Sequence, residues 1–169
     1  VQDLWKRKDS LNGPQALIHT SDVYLENLNS LTGTITNLMG SNWDSVMTAD
    51  VYGTSSNARI VDEMDPQSNL CQYRLTQGIA TTLLMASVGV KQKGLSIKEL
   101  KLCLLRPKTF NHNDVDGALN KLEQRAHYLH TSKVGEASYW FESKANVNIL
   151  LQQAKAEIKD ADIEVEILK

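Results

Sequence analysis

Apolar residues return every three or four positions along most of the chain, the period of a helix rather than of a strand. Val1–Lys8 reads as the tail of a helix, with Lys6, Arg7 and Lys8 at its negative C-terminal end, and Asn12-Gly13-Pro14 stops it. Ser21 or Asp22 can cap the next helix, whose Leu25, Leu28, Leu31, Ile35 and Leu38 would line one buried face. Gly33 interrupts that stripe and Gly40-Ser41-Asn42 ends it. Trp43, Val46 and Val51 suggest a second short apolar face, and Ser55 or Ser56 can cap a helix containing Ala58 to Met64.

The pattern sharpens downstream. A helix is expected from about Cys71 to Val88, with Leu75, Ile79, Leu83 and Ala86 on one side and Gly89 at its end. Ser96 followed by Glu99 is a capping box, in which the serine oxygen takes an orphan amide and the glutamate reaches back. It opens a short helix with Ile97, Leu100 and Leu104 inward, stopped by Arg106-Pro107. Asn113 is expected to cap a third helix, whose Val115, Ala118, Leu119, Leu122 and Ala126 form a continuous stripe. Tyr128 to Val134 and Ala137 to Glu142 flank Gly135-Glu136 and are rich in β-formers, as in a hairpin. Three helices followed by a β-hairpin is the order of a winged helix-turn-helix. Asn146 then caps a fourth helix with Ile149, Leu150, Ala154 and Ile158 inward, and Ile163, Val165 and Ile167 alternate with glutamates as in a half-buried strand. The expected fold class is mainly α, with one short hairpin.

Composition changes this picture little. The 169 residues are 41% hydrophobic and 22% charged, enough to bury a core without staples. Val1 opens the chain in place of Met, and Glu164–Lys169 reads as a strand in mid-course, so a piece of a longer protein is expected. The weakly polar run Ile79 to Val90 is too short to span a bilayer, and no basic segment precedes an apolar one at the start, so neither a membrane partner nor secretion is expected. Cys71 and Cys103 form no CxxC pair and read as small buried thiols of a cytoplasmic protein.

Charge distribution changes it more. The net charge is −2 overall, but residues 1–70 carry four Lys/Arg against nine Asp/Glu, while residues 71–169 carry fourteen against eleven. The shift coincides with the turn signal Asp65-Pro66-Gln67-Ser68-Asn69. It sets the expected organisation: residues 1–68, residues 69–145 as the winged-helix domain, and residues 146–169 as a helix and strand leading onward. Within the second part Lys91, Lys93, Lys98, Lys101, Arg106 and Lys108 face Glu99 alone, a basic patch that can hold phosphates, grip an acidic protein surface, or simply be solvated.

Signatures of catalysis are missing from the sequence. It contains no GxxxxGK[ST], GxGxxG, HExxH or GxSxG motif, so a self-contained enzyme is not expected. His19, His112, His127 and His130 do not cluster at zinc-ligand spacing. His127 and His130, three apart, can face a ligand, with packing or surface roles as the default. Asp62, Glu63 and Asp65 read as a solvated helix end. In a winged helix the third helix usually enters the major groove. Its outward residues here are Asp114, Asp116, Asn120, Lys121, Glu123, Gln124 and Arg125, a net of −1, and a duplex repels such a face.

Several stretches, in order, carry a resemblance. They are Asp3-Leu4-Trp5-Lys6-Arg7, Ala16-Leu17-Ile18-His19 up to Asp22, Trp43-Asp44 through Ala49-Asp50-Val51, and Ser56-Asn57-Ala58-Arg59 with Asp62. Leu104-Leu105-Arg106-Pro107 with Val115, Ala118, Leu119 and Leu122, then Tyr128-Leu129-His130, Tyr139-Trp140-Phe141 and Ala145-Asn146-Val147-Asn148-Ile149-Leu150 complete them. Together they resemble the region downstream of the nucleotide-binding core in a family of large bacterial AAA-type ATPases of unknown function, some from phage-defence islands. The resemblance implies that residues 1–68 are a helical lid-like segment and residues 69–145 a winged helix. It implies that the core lies outside this chain and holds ATP and Mg, with no cofactor held here. It also implies that Arg59, the one Arg or Lys between Asp9 and Asp65, can sense the terminal phosphate, as an arginine fork suits phosphate oxygens; an ion pair with a local acid is the alternative. The expected role is a regulatory module that contacts the core and other proteins; the rival is a DNA-binding module using the basic patch.

Overall fold

A computed structural model describes residues 18–23, 25–27, 29–88, 94–106, 109–132 and 135–157. The expected first helix, Leu28, Lys91, Lys93, Lys108, Ile158 and the expected strand at 163–167 lie outside the described residues. The chain is mainly helical with a small antiparallel sheet. After single turns at Thr20–Asp22 and Leu25–Asn27 come α1 (Asn29–Met39), α2 (Asn42–Val46, continuing as a wide turn through Met47–Val51) and α3 (Asn57–Glu63). Then follow α4 (Asn69–Tyr73), α5 (Leu75–Ser87), β1 (Leu95–Ser96), α6 (Ile97–Leu104), α7 (His112–Glu123), β2 (Leu129–Ser132), β3 (Ser138–Phe141) and α8 (Val147–Glu157).

Helix α5 is the axis of the core. Leu75, Ile79, Ala80, Leu83 and Leu84 are buried, and so are Thr76, Thr81 and Thr82. A helix buried on all sides needs neighbours all round, and α5 has them: α3, α4, α6, α7, β3 and the Thr20–Asp22 turn pack against it. Thr82 is tolerated because its hydroxyl donates to the Gly78 carbonyl one turn back, at 2.8 Å. Gly78 is where the Thr20–Asp22 turn lies closest, since a Cβ there would come 3.0 Å from Ser21 Cβ. The core joins Trp43, Val46, Met47 and Val51 of the first part to Leu100, Leu119, Leu122 and Phe141 of the second. Packing therefore continues across the turn at Asp65–Ser68.

Two carboxylates tie the halves together. Asp62, only 1% exposed, accepts from the backbone amides of Thr76 at 2.8 Å and Gln77 at 3.1 Å, and from Gln77 Nε2 at 3.3 Å. It supplies from a distance the cap that α5 lacks locally, because Arg74 at the N-cap position makes no side-chain cap. Asp50 accepts from Asn57 Nδ2 at 2.7 Å, His127 N at 3.0 Å and Tyr128 N at 2.7 Å. The reading of Asp62 as part of a solvated helix end is thus corrected: it lies on the inward face of α3, beside Val61 and one turn after Ala58.

Other local expectations divide. Ser56 caps α3, with its hydroxyl accepting from Arg59 N, and Ser96 and Glu99 form the reciprocal capping box of α6. The cap of α7 is Asn111, two residues earlier than expected, accepting from Asn113 N and Asp114 N while Asp114 reaches back. The single helix expected from Cys71 to Val88 is broken at Arg74, whose φ of 48° turns the chain between α4 and α5. Leu38 of α1 is 73% exposed, so the stripe from Leu25 to Leu38 is buried only in part. Cys71 and Cys103 are free and half-buried. In α8, Leu150 and Ala154 face outward, against the expectation of an inward face.

The sheet has the order β1-β3-β2, with Leu95 opposite Tyr139 and His130 opposite Trp140. β1 escapes a pattern search because two residues show no alternation. Gly94 makes its approach possible, since a Cβ there would lie 2.6 Å from the Tyr139 carbonyl oxygen.

Replacing Asp50 with Ala strands three donors and is expected to lower stability by about 3 kcal/mol in urea denaturation. Burial raises the carboxyls of both Asp50 and Asp62 above 3.8, against the hydrogen bonds they accept. Between 3.8 and each folded value the native state binds more protons than the unfolded chain, so this contribution to stability is lost as pH rises through that window. The stability difference between the natural chain and Asp62→Asn, measured by urea denaturation upward from about pH 4, is accordingly expected to shift against the natural chain as pH rises.

Candidate functional site

The third helix, α7, turns Val115, Ala118, Leu119 and Leu122 into the core and leaves the opposite face to solvent. That face is acidic and internally bonded. Asp114 accepts from Asn69 Nδ2 at 3.0 Å and Asn111 N at 2.9 Å. Asp116 pairs with Lys101 of α6 at 2.7 Å, and Glu123 accepts from the Thr131 hydroxyl at 3.0 Å. Asn120 and Lys121 are exposed.

Of the basic patch, Lys98, Lys101 and Arg106 are among the described residues, and each is engaged by a different acid. Lys98 reaches the hairpin and pairs with Glu136 at 3.0 Å, a solvent-exposed contact worth little. Lys101 is turned to Asp116, with both side chains partly covered. Arg106 points the other way, where its Nη2 pairs with Asp22 and donates to Ser21 Oγ at 3.2 Å. Asp22 also accepts from His19 N at 2.8 Å, and the His19 ring lies 2.9 Å from the Cys103 carbonyl oxygen. Asp22 thus anchors the Thr20–Asp22 turn to the end of α6 rather than capping a following helix. Beside this anchor is a cleft of about 230 Å³, lined by Asp22, Tyr52, Tyr73, Arg74, Arg106 and Phe110 among others. Tyr73 and Phe110 form one wall, their rings tilted at 5.7 Å.

Arg59 lies on α3, with Nε 2.7 Å from Glu63 and Nη1 3.7 Å from Glu26. These two carboxylates raise its already high pKa, the Glu63 hydrogen bond most. Glu26 also accepts from Gly53 N at 3.0 Å, so the Arg59 cluster links α3 to the segment before α1. The backbone amide of His127 bonds Asp50, and His130 stacks on Trp140 with its Nε2 2.8 Å from the Lys144 carbonyl oxygen. Among the described residues no group of three His, Cys, Asp or Glu is placed to hold a metal ion, and no helix is long and apolar enough to cross a membrane.

The sequence reading gave Asp22 only a capping role and missed the buried role of Asp50, for which there was a signal: Asp50 stands at an inward position of the stripe Trp43, Val46 and Met47, where an acid needs donors.

The Arg106 and Asp22 side chains are 16% and 5% exposed, so cutting this pair leaves a buried charge. Arg106→Ala is expected to destabilise by about 3 kcal/mol and the double change with Asp22→Ala by clearly less than the sum of the single changes, measured by urea denaturation. No family model, curated protein or solved structure matches the chain.

Proposed function

We propose that the chain is a non-catalytic regulatory and interaction module whose residues 69–145 form a winged helix-turn-helix that contacts proteins rather than DNA. The order α5, β1, α6, α7, β2, β3 and the sheet order β1-β3-β2 support the winged-helix reading. In the same proposal residues 1–68 are the lid-like part of a larger AAA-type ATPase, packed on the winged helix through Asp50, Asp62 and Asp22, so that movement of one part reaches the other.

The observation that carries protein over DNA is the charge arrangement around α7. In the winged-helix reading its outward acids face the side from which a duplex would approach, and Lys101, which reaches them from α6, is committed to Asp116. Lys98 and Arg106 have carboxylate partners of their own. Neutralised cations release few counterions, and counterion release is the main source of sequence-independent affinity for DNA.

Fluorescence anisotropy with a duplex at low and at moderate salt tests this. The expected outcome is no saturable binding at low salt. Tight binding that falls steeply with salt, and that disappears in Lys98→Glu with Lys101→Glu, would establish the DNA reading in its place.

A further inference from the structure

The cleft beside the Arg106–Asp22 pair is graded in polarity. The buried part of its lining is mainly apolar, with Leu25, Leu75 and Leu104, while its exposed lining residues, Arg74 among them, are polar. Tyr73 and Phe110 stand between, half-buried, as an aromatic wall. An apolar interior with a few polar groups to fix orientation is the usual form of a small-molecule pocket. Size limits the occupant. A cavity of about 150 Å³ holds one benzene ring, so the 230 Å³ here admits a ring with a substituent of a few atoms and is too small for a nucleotide.

The lining also selects the charge of that substituent. The carboxylates in it are answered from within the chain: Asp22 by Arg106 and the His19 amide, Glu26 by Arg59 and the Gly53 amide. A cationic ligand would have to displace those partners. Arg74 and Arg106 line the same cleft, and a guanidinium carries five N–H donors. Asp22 and Ser21 both take Nη2 of Arg106, and its Nε is enclosed without an acceptor. An anion therefore meets donors, and the planar fork of an arginine matches a carboxylate. The backbone agrees. At Arg74 φ is 48°, in the left-handed region that favours glycine, so a long side chain is kept there at a conformational cost.

We propose that the cleft binds a small aromatic carboxylate, with its ring against Tyr73 and Phe110 and its carboxylate held at the mouth by Arg74. The occupant touches the Ser21–Glu26 segment, the bend between α4 and α5, and Phe110 together, so it fastens the first part of the chain to the second. The site is independent of whether the winged helix contacts protein or DNA, because no residue of α7 is among its described lining.

Titration of the full chain with phenylacetate, followed in amide proton–nitrogen NMR spectra, is the test. Saturable shifts are expected at the amides of Tyr73, Arg74 and Phe110, with a dissociation constant on the order of 1 mM or tighter, as suits a ligand of about ten non-hydrogen atoms. Acetate, with the charge but no ring, and phenylacetamide, with the ring but no charge, should each bind at least tenfold more weakly. Arg74→Gly suits the left-handed bend, so it should unfold at no lower temperature than the natural chain and bind phenylacetate no better than phenylacetamide. Arg74→Gln should show the same loss of preference, and Phe110→Leu should weaken both ligands. Absence of saturation up to about 10 mM phenylacetate overturns the proposal. So does equal binding of acid and amide by the natural chain, or a preference for the acid that survives in both Arg74 variants. Shifts confined to amides away from the cleft overturn its location.

Discussion

A carboxylate buried without cations must be surrounded by donors, and this structure depends on meeting that demand twice. Asp50 and Asp62 are each enclosed, and each is answered mainly by main-chain amides from the other half of the chain. The amides belong to places that need an acceptor anyway: the first turn of α5 and the bend that leads from α7 into β2. Each bond therefore satisfies two groups that would be costly alone. Because those amides exist only once α5 and the β2 bend have formed, the acids select the docked arrangement over looser packings of the same apolar residues.

The surface follows an opposite economy. Cations and acids are spent on each other in short-range pairs that join neighbouring elements: Lys101 to Asp116 between α6 and α7, Lys98 to Glu136 between α6 and the hairpin, Arg59 to Glu63 along α3. The described members of a run that looks like a single basic patch along the chain, Lys98, Lys101 and Arg106, are thus each bound to an acid on a different element. Linear charge density says little about surface potential when a short helix turns successive residues by about 100°.

Much of this was legible in the residues. The capping serines at 56 and 96, the α7 stripe and the hairpin about Gly135 are local features, and local features can be read from local sequence. What was not legible depends on distance. At the break at Arg74 the amides that open α5 are capped by the distant Asp62, and no neighbouring residue announces it. β1 exists because β3 is there to pair with it. The inward face expected in α8 through Ile149, Leu150, Ala154 and Ile158 does not hold for its described members, since Ile149 is half-buried while Leu150 and Ala154 are exposed, and periodicity gives a face but not its direction. Of the candidate site, the acidity of the α7 surface was readable, whereas the partners of Lys98, Lys101 and Arg106 were not, since each pairing joins different elements.

One hydroxyl ties the end of α5 to the sheet. Ser87, in the last turn of α5, donates to the Leu83 carbonyl at 2.7 Å and accepts from the Phe141 amide at 2.8 Å, both within the interior. Phe141 is on the middle strand of the sheet, so the helix end and the whole sheet share one pivot. Removing that one oxygen would leave the Phe141 amide enclosed without this acceptor, so a loss at a helix end is felt first in the middle of the sheet.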